Sequence, residues 1–311
     1  MINVALIGYG TVNSGFREIF EEKRAEIEEA VDDQIKIKKI VVKHPEKHED
    51  IKNLLVDRIE DIIDDEEIDL VIEATGEVGP IEEDIKKLLE KKNLITSNKA
   101  LVSKNFEEFE AIAKKYKRKF RFDAAVGGAV PTIENLYTIR TLNDVKRVSG
   151  IFNGSCNFVL SKMEEGIDFD TAVKEAQKLG FAELDPSNDI DGLDSMRKLR
   201  LAASILFNKP IKEENIDLEG IRKITNEDIE EAKANKQRYK LIAYGDDEGT
   251  YRVRPELVDI DSNFGKIKDN ENIFQIETSN AKILTFIGPG AGKRETGFAI
   301  LNDFLNIYRI R

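Results

Sequence analysis

Short apolar runs alternate with amphipathic stretches from the first residues onward. "INVALIG" (2–8) predicts a strand and residues 12–29 a helix. "QIKIKKIVV" (34–42) alternates apolar and polar positions as a half-buried strand does, and 50–64 reads as a helix. "DLVIEATG" (69–76) predicts a buried strand, 80–91 a helix, "NLITS" (93–97) a strand, 105–116 a helix and "KFRFDAAV" (119–126) a strand. Strands separated by helices of roughly 10–18 residues imply βαβ units around a parallel sheet.

The rhythm changes after residue 130. A helix is expected over 132–140, a strand at "VKRVSGIF" (145–152), and helices over 157–165 and 168–179. A polar, acidic loop (182–191) precedes a helix over 192–207. Strands follow at 238–244, 250–254, 272–278 and 282–287, and a last helix at 293–308. The expected fold class is α/β: a Rossmann-type doubly wound parallel sheet in residues 1–130, an inserted α+β domain in 131–289, and a C-terminal helix, 290–311, returning to the first domain.

Composition narrows the classes. The formal charge of -12 comes without a basic block, which argues against nucleic acid and against an anionic membrane surface. No apolar run approaches the roughly 20 residues of a membrane span. "MINVALIGYG" has no basic leader and runs straight into a strand, so it does not read as a signal peptide. Cys156 is the only cysteine, which rules out a disulfide framework and suits a reducing cytoplasm. Charged residues reach 35% with no Trp, a balance that suits a thermophile's surface ion pairs or codon bias in an AT-rich genome.

Candidate chemistry begins at "GYGTVNSG" (8–15), between the first strand and the first helix. Gly8 permits the tight turn and Gly10 lets the backbone approach a pyrophosphate, which the helix N-terminus attracts. Asn13 stands where a G-x-G-x-x-G fingerprint has its third glycine, so a looser helix–strand contact is expected. After the second strand, "VVKHP" offers Lys43 and no acid before Glu46; that leans toward a ribose 2′-phosphate and NADP, with NAD the alternative. "ATG" (74–76) and "TSNK" (96–99) follow strand ends, which places Thr75 and Lys99 toward the cofactor.

The richest segment is "LGFAELDPSNDIDGLDSMRKLRLAA" (179–203). Asp191, Asp194 and Lys198 stand at helical spacing and are expected on one face. An EF-hand reading fails, because Ser187 and Lys198 would occupy its first and twelfth places, both of which should be acidic. Two readings stay open: an acidic surface loop with an Asp194–Lys198 pair, or a polar site in which a lysine transfers a proton and carboxylates orient the substrate. The only histidines, His44 and His48, lie beside the expected ribose. No histidine is therefore placed to activate Cys156, which reads as small and buried. "GPGAGKR" (288–294) lacks the first glycine and the Ser/Thr of a P-loop and reads as a flexible glycine-rich loop able to lie against a ligand ring.

Taken together these segments resemble the homoserine dehydrogenase family over nearly the whole chain. "GYGTVNSG" is similar to the family's G-x-G-T-V-G-x-G, "TSNKA" to T-A-N-K-A, and "AAVGGAVP" to A-S-V-G-G-G-I-P. "GIFNGSCNFVLSKM" is similar to G-I-x-N-G-T-x-N-[FY]-I-L-x-x-M, and "LGFAELDPSNDIDGLDSMRKL" to L-G-[YF]-A-E-x-D-P-x-x-D-x-x-G-x-D-x-x-x-K. The closing "GPGAGKRETGFAILND" is similar to G-x-G-A-G-x-x-x-T-x-x-A-x-x-x-D. The resemblance implies NAD(P)-dependent interconversion of L-homoserine and L-aspartate 4-semialdehyde, a step toward threonine and methionine, in a cytoplasmic homodimer whose second domain binds substrate and dimerises. It implies that Lys198 transfers the proton, Lys99 assists at the reacting oxygen, Glu183 binds the substrate amino group, Asp194 orients the hydroxyl and Asp189 supports the site. Cofactor contacts are implied for Gly8, Gly10, Thr11, Val12, Lys43, Thr75, Lys99, Gly288 and Ala291. A monovalent cation, Na⁺ or K⁺, is implied at Asp123, Val126, Gly128 and Val130, largely through backbone carbonyls, with Asp123 in place of the family's frequent Glu. Many relatives carry an ACT domain or a fused aspartate kinase; neither fits in 311 residues, so threonine feedback through such a domain is not expected. The alternatives are an aspartate-semialdehyde dehydrogenase using Cys156, or a non-catalytic nucleotide sensor.

Overall fold

The computed structural model describes residues 1–182 and 184–310. The chain divides into two units, Met1–Ala125 with Lys293–Arg311, and Val126–Gly292.

In the first unit, β1 (Ile2–Ile7) leads into α1 (Thr11–Glu22), α2 (Arg24–Val31) and β2 (Ile35–Val41). Then come β3 (Leu55–Val56), α3 (Glu60–Ile63), β4 (Leu70–Glu73), α4 (Ile81–Lys91), β5 (Asn93–Thr96), α5 (Lys99–Lys115), β6 (Phe120–Arg121) and the single turn α6 (Asp123–Val126). The strands form one parallel sheet in the order β3-β2-β1-β4-β5-β6. That is the order of the doubly wound dinucleotide-binding fold, whose ligand crevice lies at the carboxyl ends of the strands. Strand β4 is buried along its whole length, as a central parallel strand covered on both faces must be.

The second unit contains α7 (Ile133–Leu142), β7 (Val145–Ile151), α8 (Gly154–Glu164), α9 (Phe169–Lys178), the turn α10 (Ser187–Ile190) and α11 (Leu193–Leu206). It continues with β8 (Asp217–Leu218), α12 (Asn226–Ala234), β9 (Gln237–Asp246), β10 (Tyr251–Asp259), β11 (Glu271–Thr278) and β12 (Lys282–Pro289). Its sheet runs β12-β11-β7-β9-β10-β8 and is antiparallel except for the β10–β8 pair.

Helix α13 (Lys293–Tyr308) belongs to the first unit, where Ile300, Leu301 and Phe304 join Phe16 and Phe20 of α1 in one apolar core. The two helices meet through glycine. A Cβ at Gly15 would lie 2.1 Å from the Lys293 carbonyl oxygen, and one at Gly297 would lie 2.5 Å from the Gly15 backbone. Lys293 and Arg294 then reach Glu18 and Glu22 across the same crossing, at 2.8 and 2.7 Å.

Several elements differ from the sequence expectation. The helix over 12–29 is broken at Lys23, whose φ of -117 and ψ of 18 leave the helical region. Over 50–64 a 3₁₀ turn (Glu49–Leu54) gives way to β3, because Leu55 and Val56 pair with Ile40 and Val41 at the sheet edge. The strand over 119–126 stops at Arg121, and the next backbone amide but one, at Asp123, donates to the Asp303 carboxylate of α13 at 2.8 Å. Helix α5 starts at Lys99, six residues early, because Asn98 caps it by accepting from the Leu101 amide. The loop over 182–191 contains α10, and α12 was not foreseen although Thr225 and Asp228 close a full capping box on it. Gly288 sits inside β12 opposite Asn272 rather than in a flexible loop.

Candidate active site and nucleotide pocket

The exit of β1 is built around two glycines with different tasks. Gly8 has a φ of +81, and a Cβ there would stand 2.9 Å from the Ala74 carbonyl oxygen, so the exits of β1 and β4 approach too closely for any side chain. Gly10 is the N-cap of α1, with no side-chain cap bond and nothing within 4 Å of where its Cβ would be. The first turn of α1 carries no acid. Uncapped amides facing open space are what a pyrophosphate binds, and here the residues fit a dinucleotide. Gly8, Gly10, Lys43 and Thr75 line one cavity of about 540 Å³, along with Tyr9 and Val42. Thr11 and Val12 form the first turn of α1 and are not among its lining residues.

Asn13 does not loosen the helix–strand contact. Its side chain is fully buried, and Nδ2 donates to the Gly8 carbonyl at 2.7 Å and to the Ile7 carbonyl at 3.4 Å. The asparagine ties α1 to the end of β1, while Gly15, two residues on, makes a separate close contact with α13.

At the exit of β2, Lys43 extends into water and pairs with Glu77 at 3.2 Å. His44, Lys47 and His48 line the same cavity, so four basic side chains gather there. On the far side, Thr75 is locked by its amide and hydroxyl, both donating to Glu73 Oε1 at 2.7 Å. Glu73 is fully buried at the end of β4, and its other oxygen accepts from Thr96 Oγ1 at 2.5 Å. The Thr96 hydroxyl accepts the Asn98 amide, and Asn98 caps α5. Glu73 thereby fixes both the Thr75 turn and the start of α5, where Lys99 stands. The sequence reading missed Glu73, although an acid inside the apolar run "DLVIE" was the available signal.

The second unit brings Asp189, Asp194 and Lys198 together. Helix α11 is buried from Asp194 to Leu206 except at Arg197, so it is a central helix rather than an amphipathic one. Lys198 Nζ lies 3.1 Å from Asp194 Oδ2 and donates to the Phe152 carbonyl at 2.6 Å. Burial lowers the Lys198 pKa to about 8, against the opposing pull of Asp189. A lysine with that value is a competent proton acceptor near neutral pH. Asp191 does not share this face. It caps α10, ahead of α11, and forms an ion pair with Arg222.

Asn153, which the sequence reading did not single out, joins the two aspartates. Its Nδ2 donates to Asp189 Oδ1 at 2.6 Å and to Asp194 Oδ2 at 2.9 Å. Cys156 is fully buried one turn into α8; its Sγ donates to the Asp189 carbonyl at 3.1 Å, and burial pushes the thiol well up. A thiol held protonated is no nucleophile.

Glu183 lies outside the described residues. Lys99 and Asp123 belong to the first unit, and Val126, Gly128, Val130, Gly288 and Ala291 to the second. Within the second unit the Val130 carbonyl accepts from Thr132 Oγ1 at 2.7 Å, and Gly288 packs on the Val130 side chain. Among the described residues no group of His, Cys, Asp and Glu could hold a metal ion by its side chains. No helix among them is long and apolar enough to cross a membrane.

Known proteins resemble the chain in both sequence and fold. Residues 8–123 match the family model described as homoserine dehydrogenase, NAD binding domain, and 131–305 match the one described as homoserine dehydrogenase. The chain is 32% identical to a homoserine dehydrogenase of Bacillus subtilis, over 99% of this chain and 73% of that protein. It is 33% identical to one of Methanocaldococcus jannaschii, over 99% and 98% respectively. The crystal structure of a homoserine dehydrogenase from Thiobacillus denitrificans superposes with a TM-score of 0.94 at 32% identity, covering 99% of this chain and 73% of that one.

Proposed function

The chain belongs to the homoserine dehydrogenase family, NAD(P)-dependent oxidoreductases acting on a CH–OH group, and on that premise we propose how its residues divide the work. The reaction is L-homoserine + NAD(P)⁺ ⇌ L-aspartate 4-semialdehyde + NAD(P)H + H⁺. When bound, the dinucleotide supplies the hydride acceptor at its nicotinamide C4. In the oxidative direction neutral Lys198 takes the hydroxyl proton as hydride leaves substrate C4. Asp194 holds Nζ in place and orients the hydroxyl, Asp189 supports the site, and Glu183 takes the substrate amino group. Lys99 keeps the role the resemblance gives it, assisting at the reacting oxygen.

The single observation that carries this reading is the buried Lys198–Asp194 pair with its lysine lowered to about 8. Lys198→Ala tests it. Homoserine oxidation, followed by nicotinamide absorbance, should fall by a factor of about 10² or more, while cofactor binding followed by fluorescence is retained. Unchanged turnover would remove Lys198 from the reaction.

The finer assignments follow the same reading. NADP is the preferred cofactor, supported by Lys43, His44, Lys47 and His48 around the cavity, with NAD also used. The pyrophosphate lies on Gly8, Gly10 and the first turn of α1, with Thr75, Gly288 and Ala291 as further contacts. The first unit binds the dinucleotide, and the second binds substrate and forms the homodimer. A monovalent cation is held by carbonyls in the 126–130 segment with Asp123; the Val130 oxygen, with one bond from Thr132, keeps a lone pair for it. The enzyme works in the cytoplasm, in threonine and methionine biosynthesis, and the density of surface ion pairs supports a thermophilic source.

A further inference from the structure

Two lines of contact cross at Asn153. It stands between β7 and α8, and its side-chain oxygen accepts from the Cys156 amide at 2.7 Å, capping α8. That bond fixes the orientation of the carboxamide, because the oxygen must face the helix and the NH₂ group must face away from it. Both protons of the NH₂ group then meet carboxylates, Asp189 on α10 at 2.6 Å and Asp194 on α11 at 2.9 Å. Asn153 is almost fully buried, so water does not substitute for these donors. The residue before it contributes too: the Phe152 carbonyl accepts from Lys198 Nζ and from Asn272 Nδ2 at 3.2 Å.

We propose that Asn153 is a positioning residue for proton transfer: its carboxamide spans Asp189 and Asp194 and holds in place the carboxylate that pairs with Lys198 Nζ. The proposal rests on the assignment of Lys198 as the proton-transferring group. Asp194 faces Lys198 from its own helix and Asp189 from α10, while from the β7–α8 turn it meets an uncharged carbonyl. Behind Asp189 lies the Cys156 thiol, held protonated by burial. On β9, which also packs on α11, the lysine is Lys240, and it turns to Asn157 and the Ile267 carbonyl. From α7 the cation is Arg140, which bonds to the Ile205 carbonyl and Asn208 at the far end of α11. The two N–H donors of Asn153 each offset part of the charge on the paired aspartates. Without them the carboxylates stabilise the ammonium form of Lys198 more strongly, and the amine is freed at a higher pH.

The test separates capping from positioning. Asn153→Ser keeps a helix-capping oxygen and removes the NH₂ group. Homoserine oxidation by Asn153→Ser should show kcat lowered about tenfold near neutral pH, with the alkaline rise displaced upward by about one pH unit. NADP affinity should be unchanged. A second variant, Asn153→Asp, retains the capping acceptor and replaces the donors by a third carboxylate; it should displace the rise further in the same direction. A kcat and pH profile equal to wild type in Asn153→Ser would reduce Asn153 to a helix cap and overturn the proposal. Loss of folded protein in both variants would overturn it as well, assigning the residue to stability. Failure of the underlying reading looks different: Lys198→Ala would then turn over like wild type, whatever Asn153→Ser does.

Discussion

Lys198 carries the sharpest consequence at the scale of single residues. Its neutral form is required to accept the hydroxyl proton and its ammonium form to return one. Burial has lowered its pKa to about 8. Homoserine oxidation should therefore rise with pH through about 8 and level off above it, while semialdehyde reduction falls through the same point. Measuring kcat against pH in both directions checks this, and parallel profiles in the two directions would contradict it. The lysine and Asp194 were legible in the sequence because an i, i+4 pair sits on one helix. Asn153 was not, because it reaches Asp189 and Asp194 across 36 and 41 residues of chain. The role of Asn13 was misjudged for a related reason. A missing glycine says that a side chain is present, whereas what that side chain bonds to depends on the carbonyls of Ile7 and Gly8.

Among elements, the crossing of α1 and α13 leaves no room for a side chain at Gly15 or Gly297. A methyl group at residue 15 would enter the Lys293 carbonyl at 2.1 Å, and backbone cannot step aside as a flexible side chain does. Gly15→Ala should destabilise the protein by about 1–3 kcal/mol in urea or thermal unfolding, despite the higher helix propensity of alanine. Stability equal to or above wild type would show that the helices separate without cost. Most elements were readable from periodicity, since the central strands β1 and β4 are nearly unbroken apolar runs. Two of the differences share a cause: a distant partner redirected the chain. Leu55 and Val56 leave a helical pattern to extend the sheet edge, and the Asp303 carboxylate draws the Asp123 amide out of a strand. Helix α12 was missed despite a local signal, the Thr225–Asp228 capping box, because its apolar stripe is weak.

For the whole molecule, the outer strand of the second sheet bears on assembly. Along β12, Ile283 and Ile287 are 53% and 54% exposed. Through the strand register they continue rows into Glu277 and Arg147, and into Ile273 and Ile151. Exposed apolar side chains on an outer strand suit an isologous contact between two copies. The purified protein should sediment as a dimer, and Ile283→Lys with Ile287→Lys should shift it to monomer. Dimers that survive both charges would place the interface elsewhere.

The division of the chain also has a consequence for how the protein is made. A ribosome delivers residues 126–292 in full before it begins Lys293–Tyr308. The second unit is contiguous and can collapse as soon as it emerges. The first unit must wait, its apolar Phe16 and Phe20 surface lacking the Phe304 side until Lys293–Tyr308 has emerged. The usual order, in which the N-terminal domain is finished first, is reversed. Nascent chains arrested before residue 293 should accordingly hold a protease-resistant second unit beside a nucleotide-binding half that is still soft and open to chaperones.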